Sequence, residues 1–250
     1  MYRDFAELHE ARHWWFVGRR RILASLIAAW LPPRRDLRIL DIGCGTGGMI
    51  PLLSEHGQVT GIDPAEAAIR YSKQRYDGAA ELLRMDFPAQ VPAFRDFDLV
   101  TLFDVLEHLD DDALALARAG SLLRGGGLLL ITVPAHRCLW SPHDEINQHR
   151  RRYGRSELRA RLEQSGFRIE KLSYYNMLLF PIVYAARLLR RHLRPRDRRS
   201  DVRIGNDWIN DRLADVFGAE RHLLKHWELP VGVSLIAMAR KPEAASGERG

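Results

Sequence analysis

The stretch RILDIGCGTGG, residues 38–48, decides the fold. It begins with a short apolar run over 38–42, containing Asp41, which predicts a buried strand. Glycines follow at Gly43, Gly45 and Gly48, before a helix predicted over 47–55. Because glycine carries no side chain, the main chain can approach a ligand closely at this strand-to-helix turn. The stretch therefore predicts a ligand site at the carboxyl end of the first strand.

Strands and helices alternate along the rest of the chain. The predicted strands cover 38–42, 57–62, 79–85, 97–103, 128–133, 167–174 and 233–239. The helices predicted between them cover 47–55, 65–74, 111–123 and 157–163. Such alternation indicates an α/β fold with a parallel sheet and right-handed crossovers, which is a Rossmann-like doubly wound architecture.

The segments outside this pattern suggest a division of the chain into five parts. We predict an N-terminal helical cap over 1–35, a core over 36–174, a helical insertion or lid over 175–230, the last core strand over 231–241 and a flexible tail over 242–250. The tail is rich in Ala, Ser, Gly and Glu, which favours mobility.

Composition excludes several classes of protein. The 250 residues are 46% hydrophobic and 28% charged, as expected of a soluble globular chain and not of a disordered one. No apolar run reaches the roughly 18 residues that a membrane span needs, and the first thirty residues do not read as a signal peptide. We therefore expect a cytoplasmic protein. The two cysteines, Cys44 and Cys138, provide neither a disulfide framework nor a cysteine-based zinc site.

The net charge of +6 is concentrated in arginine clusters at 150–161 and 187–199. Solvated helix faces are the simpler interpretation of both clusters. The second cluster, however, follows a nearly apolar helix predicted over 177–189. An apolar helix with a basic flank can lie in a membrane interface, so 177–199 is a candidate for peripheral membrane contact. Packing as a lid or in a dimer is the competing interpretation, and the sequence does not predict the oligomeric state.

The glycines alone do not select the cofactor, because their spacing also fits a dinucleotide fingerprint. Asp41 favours a cationic ligand. Two like charges about 4 Å apart at an effective dielectric constant of about 20 cost roughly 4 kcal/mol, so a pyrophosphate would be repelled there. An ammonium and a sulfonium would be attracted. Asp63, at the end of the second strand, can bind ribose hydroxyls with either kind of cofactor.

At this point the chain resembles the class I S-adenosylmethionine-dependent methyltransferases, in particular the group that modifies small molecules such as quinones and natural products. Five motifs in family order carry the resemblance: 41–47, 61–64, 85–87, 97–108 and 122–127. It implies S-adenosylmethionine as cofactor and a seven-stranded sheet with an antiparallel last strand. The implied cofactor-binding residues are Asp41, Gly43, Cys44, Gly45, Asp63, Pro64, Met85, Asp86, Phe87, Asp104 and Val105.

Glu107 and His108 form an adjacent pair just after the fourth predicted strand. The pair could be structural support, a catalytic base or, with Asp104, half of a divalent-metal site. We favour structural support and predict no metal ligands.

The segment 134–153 is the candidate acceptor side of the site. It follows the fifth predicted strand at the sheet edge where ligands bind, and it contains three histidines. Histidine is the usual base near neutral pH. We rank His143 first, then His149, then His136, while a structural role in ordering the loop remains the alternative for each. An apolar pocket lined by aromatic residues is a further expectation, with core packing as its alternative: Trp14, Trp15, Tyr174, Tyr175 and Phe180.

Together these features predict a methyltransferase that modifies a small, apolar or lipid-like acceptor at oxygen, by in-line displacement with histidine as base. Methylation of nucleic acid is an alternative that we do not favour, because 104–107 lacks the Pro-Pro-aromatic loop of enzymes that hold a flipped base. Cofactor binding without turnover is a second alternative, and a nicotinamide dehydrogenase is a third.

Overall fold

The structure is a computed structural model that describes residues 12–76, 78–193 and 206–243. Its strands are β1 Leu37–Ile42, β2 Gly57–Asp63, β3 Ala80–Arg84, β4 Phe97–Phe103, β5 Leu123–Pro134, β6 Arg168–Tyr175 and β7 Ser234–Arg240. Its helices are α1 Trp14–Trp30, α2 Ile50–Ser54, α3 Glu66–Arg75, α4 Asp112–Leu122, α5 Pro142–Ile146, α6 Arg155–Gln164, α7 Phe180–Leu193 and α8 Asp207–Leu224. Single 3₁₀ turns cover Leu106–His108 and Arg137–Leu139.

The seven strands form one sheet in the order β3-β2-β1-β4-β5-β7-β6. Strands β1 to β5 run parallel, whereas β7 is antiparallel to both β5 and β6. The predicted Rossmann-like fold with an antiparallel last strand is therefore confirmed. The strand order reverses between β1 and β4, and ligands of open α/β sheets bind at that switch point, outside the carboxyl ends of the strands.

The central strand β4 shows why this sequence forms the interior of a sheet. All seven of its residues are buried, as expected where helices cover both faces of parallel strands. Its one charged residue, Asp98, accepts hydrogen bonds from Arg34 Nη2 (2.8 Å), Arg124 Nε (2.7 Å) and the main-chain N–H of Arg38 (2.8 Å). A buried carboxylate is tolerated when it is paired and hydrogen-bonded in this way.

The two faces of the sheet carry separate apolar clusters. One contains residues of α4 and α6, and the other contains residues of α1 and α8. Helices α1 and α8 pack directly against each other: a Cβ atom on Gly18 would lie 2.4 Å from Phe217 Cδ1. This close approach brings the N-terminal helix against the sheet, with Arg19 directed toward the carboxyl end of β4.

Several predicted boundaries differ from the observed ones. Helix α7 begins at Phe180 and not at 177. Asn176, which precedes the predicted start, has a φ of +57°, and Pro181 lies in the first turn of the helix, where proline is tolerated. Strand β5 begins five residues before the predicted start at 128.

Some predictions fall outside the described residues: the helix start at Phe5, the arginines at 194, 196, 198 and 199, and the tail from 244 onward. Within the part of the chain that the structure describes, no helix combines the length and the apolar character needed to cross a bilayer.

Candidate active site

The glycine-rich turn after β1 is held in place by main-chain contacts. The N–H groups of Gly43 and Cys44 both donate to the carbonyl of Ile62, at 2.8 and 3.1 Å. Gly43 has a φ of +73°, and a Cβ atom there would lie 2.4 Å from Val105 Cγ2. This position therefore requires glycine both for its conformation and for the close approach of Val105.

Asp41 lies at the end of β1 and is 2% exposed. Thr101 Oγ1 donates a 2.6 Å hydrogen bond to its Oδ1. Burial raises the pKa of Asp41 to about 7, against the opposing effects of the Thr101 hydrogen bond and the charge of Arg19. A buried carboxylate of this kind is stabilised by a cationic ligand.

Asp63 closes the glycine-rich turn from the end of β2. Its Oδ2 accepts from the N–H of Gly45 and its Oδ1 from the N–H of Ala65, both at 2.9 Å. Burial raises the pKa of Asp63, and these two hydrogen bonds oppose the shift. Each carboxylate oxygen can accept a second hydrogen bond, so Asp63 can hold the turn and still receive two ribose hydroxyls.

The remaining predicted cofactor residues differ in their surroundings. The side chain of Cys44 packs among Ile50, Ile69 and Leu82, so its main chain is the part that faces the turn. Phe87 is 6% exposed and belongs to the apolar core. The five others are placed as follows: Pro64 directly follows Asp63, Met85 packs partly buried against the core, Asp86 is exposed, and Asp104 and Val105 follow β4.

Asp104 is held by the N-terminal helix. It has a φ of +56°, and its Oδ2 forms an ion pair with Nη1 of Arg19, a side chain that is largely buried. Thr132 Oγ1 donates to its other oxygen at 3.1 Å. Sequence analysis missed Arg19. One signal in the sequence could have identified it: Arg19 is a charged residue on a helix face whose other members, Trp15, Ile22 and Leu26, are apolar.

On the acceptor side, Asp144 organises the segment after β5. Its side chain is fully buried, and it accepts from Arg152 Nε (2.8 Å), Arg152 Nη2 (3.0 Å) and the Ser141 N–H (2.9 Å). His149 Nδ1 lies 2.9 Å from Asp144 Oδ1. Burial acts to raise the pKa of Asp144, but the His149 hydrogen bond and the Arg152 charge hold it well below its usual range.

This arrangement fixes the tautomer of His149. A carboxylate with a low pKa only accepts hydrogen bonds, so Nδ1 of His149 carries a proton, and in the neutral imidazole Nε2 is the nitrogen with the lone pair. Asp144 and Arg152 were not among the predicted site residues.

The other two candidate histidines have different environments. His143 Nε2 lies 2.9 Å from the amide nitrogen of Asn147, which only donates, so the proton of His143 is on Nδ1. His136 has a φ of +58°, and its ring stacks on Tyr174 with the centroids 4.9 Å apart. Burial lowers the pKa of both histidines, so both are neutral at pH 7.

Glu107, His108 and His149 form a group that we call the polar cluster. One donor atom from each lies within 4.8 Å of the other two, although residues 107 and 149 are far apart in the chain. Glu107 is fully buried, and neither carboxylate oxygen has a hydrogen-bond partner among the described residues. Burial, followed by the nearby charge of Asp104, raises the pKa of Glu107 well above its usual range. Three such donors could hold a metal ion, although the sequence analysis predicted no metal ligands.

Among the predicted pocket aromatics, the structure separates two sets. Trp15 of α1 and Tyr175 of β6 both stack on Phe217 of α8, so they belong to the core. Tyr174 and Phe180 instead lie beside His136 at the acceptor edge, with centroids 4.9 and 5.6 Å from its ring. Trp14 packs on Phe217 at 5.8 Å and belongs to the first set.

Comparison with known proteins agrees with this geometry. A family model described as a methyltransferase domain matches residues 12–172, which is more than half of the chain. The ubiquinone biosynthesis O-methyltransferase of Azorhizobium caulinodans is 35% identical over 109 residues, 41% of this chain and 42% of that protein. A probable S-adenosylmethionine-dependent methyltransferase of Mycobacterium tuberculosis is 31% identical over 163 residues, 63% of this chain and 57% of that protein. The chain thus spans about half the length of these relatives.

Solved structures share the fold. A TehB-like S-adenosylmethionine-dependent methyltransferase from Corynebacterium glutamicum superimposes with a TM-score of 0.57 at 20% identity, covering 96% of this chain and 94% of that one. Phosphoethanolamine N-methyltransferase 2 of Haemonchus contortus, solved with S-adenosylmethionine, has a TM-score of 0.57 at 20% identity and covers 97% of this chain and 60% of that one. The family match, the sheet order and the glycine-rich turn together identify the cofactor as S-adenosylmethionine. The chain therefore belongs to the class I S-adenosylmethionine-dependent methyltransferase family.

Proposed function

We propose that this protein transfers the methyl group of S-adenosylmethionine to an oxygen atom of a small, apolar or lipid-like acceptor. One observation carries the proposal: the glycine-rich turn and the polar cluster lie at the same edge of the sheet, on either side of Asp104. A donor bound at the turn and a hydroxyl group at the polar cluster would thus be neighbours. The relatives named as ubiquinone biosynthesis O-methyltransferases support oxygen as the methylated atom.

The roles proposed for the cofactor residues follow from their geometry. Asp41 would attract the cationic end of the cofactor, and Asp63 would accept from the ribose hydroxyls. Gly43, Gly45 and the main chain of Cys44 would line the turn. Such an arrangement aligns the methyl group for in-line attack, and alignment can contribute roughly 7 to 11 kcal/mol to lowering the barrier.

We propose that the polar cluster removes the proton of the acceptor hydroxyl and that His149 is the histidine required for this step. The reason is that Asp144 holds Nδ1 of His149, while a ring nitrogen of His149 lies within 4.8 Å of donor atoms of Glu107 and His108. His143 was ranked first from the sequence, but its Nε2 already accepts from the Asn147 amide and its proton is on Nδ1, so no free lone pair remains to take up a proton. His136 would contribute a stacking surface together with Tyr174 and Phe180.

The acceptor side is also where membrane contact would occur. Leu178, Ile182 and Tyr184 are exposed apolar side chains at α7, and Ile182 is 64% exposed. Arg187 connects α7 to the acceptor segment by donating to the carbonyl of Leu139 at 2.5 Å. We propose that residues 177–199 lie against an anionic bilayer, from which a lipid-like acceptor can reach the site.

Vesicle sedimentation tests the membrane contact. Ile182→Glu should reduce co-sedimentation with vesicles that contain phosphatidylglycerol. Trp227→Glu is the matched control, because Trp227 is similarly exposed (62%) but lies outside α7. Equal partitioning of the two variants and the unaltered protein would contradict this part of the proposal.

The methyltransferase activity is tested by incubating the protein with methyl-labelled S-adenosylmethionine and lipid or metabolite extracts, then searching by mass spectrometry for products heavier by one CH₂. His149→Ala should abolish the labelled product while leaving S-adenosylhomocysteine affinity unchanged. The exposed His222 on α8 provides the control variant, His222→Ala. Labelled product formed at the same rate by His149→Ala would overturn the role of this histidine, and cofactor binding without product in any extract would overturn the enzymatic function.

A further inference from the structure

The outer face of helix α8 carries apolar side chains that are open to solvent. Trp208 is 66% exposed, and Ile209 and Val216 are also exposed. The opposite face of the same helix packs against α1 through Phe217. A surface helix usually presents a polar face to water. Exposed apolar and aromatic side chains grouped on one helix therefore indicate a binding surface.

A cavity beside this face is large enough to hold the most exposed of these side chains. Its volume is about 500 Å³, and it is lined by Arg21 of α1 and by Asp215, Ala219 and Arg221 of α8. Ala219 contributes only a methyl group, and a guanidinium group can lie against an aromatic ring. Trp208 already has such a neighbour within the chain, since the Arg212 guanidinium lies 5.7 Å from its ring centroid. The cavity thus suits an aromatic side chain that enters from outside.

The exposed tryptophan and the cavity lie on one line along α8, which we call the α8 stripe. It consists of Trp208, Arg212, Asp215 and Ala219, all of them exposed and spaced by four, three and four residues. Residues at these spacings share one face of a helix, and the ends of the stripe are about 16 Å apart. When the stripe is reversed, the tryptophan coincides with the alanine of the cavity and the arginine with the aspartate. The α8 stripe is therefore complementary to itself in the antiparallel direction.

We propose that the α8 stripe joins two copies of this chain in an antiparallel, two-fold symmetric dimer. The axis lies midway between positions 213 and 214. Trp208 enters the cavity at the partner subunit's Ala219, and Arg212 faces the partner subunit's Asp215. A two-fold axis repeats each of these contacts, because residue i then meets residue j and j meets i.

The charges favour a second copy of this chain as the occupant. The chain carries a net charge of +6, so two copies repel each other over most of their surfaces. The α8 stripe itself is neutral, with one arginine and one aspartate. Within one chain these two are 3.9 Å apart, and Asp215 is also paired with Arg21 at 2.8 Å. Exposed charges of this kind fix orientation more than affinity, and the buried tryptophan supplies the affinity.

Sedimentation velocity of the full chain over a dilution series tests the dimer. A species of twice the chain mass of 28.7 kDa is expected. Trp208→Glu should weaken the dimer by about 100-fold or more, because tryptophan is a typical hot-spot residue and the axis removes two of them. Trp227→Glu is the matched control, since Trp227 is 62% exposed but lies outside α8. This variant should dimerise like the unaltered protein.

A charge exchange tests the antiparallel arrangement. Arg212→Asp alone and Asp215→Arg alone each place like charges opposite each other at both contacts, so each variant should be monomeric. Mixed in equal amounts, the two variants restore opposite charges at both contacts and should form heterodimers. Only a two-fold pairing of these positions predicts that two monomeric variants associate with each other.

Three results would overturn the proposal. They are a single-chain mass at every concentration, a dimer that Trp208→Glu does not weaken, and a failure of the two charge variants to associate when mixed. A monomer whose melting temperature falls in Trp208→Glu would show that another segment of the chain covers the α8 stripe, which also excludes the dimer. Circular dichroism spectra establish that each variant is folded. None of these outcomes depends on methyl transfer, because α8 carries none of the residues proposed for that reaction.

Discussion

Asp144→Asn is the substitution with the largest effect that the structure predicts. It removes the charge of a fully buried carboxylate and leaves the Arg152 guanidinium, which is 2% exposed, without its anion. Breaking a buried ion pair in this way costs about 3 to 5 kcal/mol, a large part of a typical free energy of unfolding of roughly 5 to 15 kcal/mol. In a chain of this size each kcal/mol shifts the melting temperature by about 2 to 4 °C, so a decrease of roughly 6 to 20 °C is expected.

Thermal and urea unfolding at pH 7 measure the effect, and two controls isolate its cause. Asp215→Asn removes an aspartate that pairs with Arg21 on the surface, where an ion pair contributes only about 0 to 1 kcal/mol. Adding Arg152→Met to Asp144→Asn should restore part of the stability, because the unpaired charge is then gone. A loss in Asp144→Asn no larger than that in Asp215→Asn would refute the reasoning.

The pH dependence of this effect has a defined sign. The folded-state pKa of Asp144 lies below the value of about 3.9 for an unperturbed aspartate. Its contribution to stability is therefore fully present above that pH and is lost as the pH falls toward the folded-state pKa. The difference between the unaltered protein and Asp144→Asn should consequently shrink below about pH 4.

Three further predictions concern the cofactor side. Asp63→Ala should weaken S-adenosylhomocysteine binding by about 10-fold or more, because hydrogen bonds to a charged group contribute about 1.5 to 3 kcal/mol each; unchanged affinity by calorimetry would contradict the ribose contact. Gly43→Ala should be more destabilising than Gly78→Ala: both have a φ of +73°, but only a Cβ on Gly43 meets Val105. Equal unfolding midpoints for the two variants would count against that contact. S-adenosylmethionine affinity should rise with pH and level off above about pH 7, because the cation pairs with ionised Asp41. Asp41→Asn should bind weakly at every pH, and a pH profile like that of the unaltered protein would exclude Asp41 as its source.

The cofactor side of the molecule was readable from short stretches of sequence. The conformations of the glycine-rich turn, of the strand before it and of Asp63 are each set by contacts with residues close in sequence or on the next strand. Strand alternation with helices then fixes the sheet edge at which they meet. The side chain of Phe87, a residue that the resemblance assigned to the cofactor, lies in the apolar core. The sequence did not predict this, because a motif position does not state the direction of a side chain.

The acceptor side depended on contacts that no local pattern encodes. His149 was ranked second among the histidines, and what distinguishes it is a hydrogen bond to Asp144, itself held by Arg152. The tautomers of His149 and His143 follow from which atoms their rings face, and composition gives no information about that.

The sequence by itself determined the order of strands and helices, the turn that requires glycine and the edge of the sheet at which the candidate cofactor residues meet. These features follow from backbone conformation and from burial patterns repeated along contiguous residues. Only the tertiary structure decided that Arg19 neutralises Asp104 and that Glu107, His108 and His149 converge. The physical reason is that these contacts join segments far apart in the chain, whose meeting depends on how helix α1 and the segment after β5 pack against the sheet.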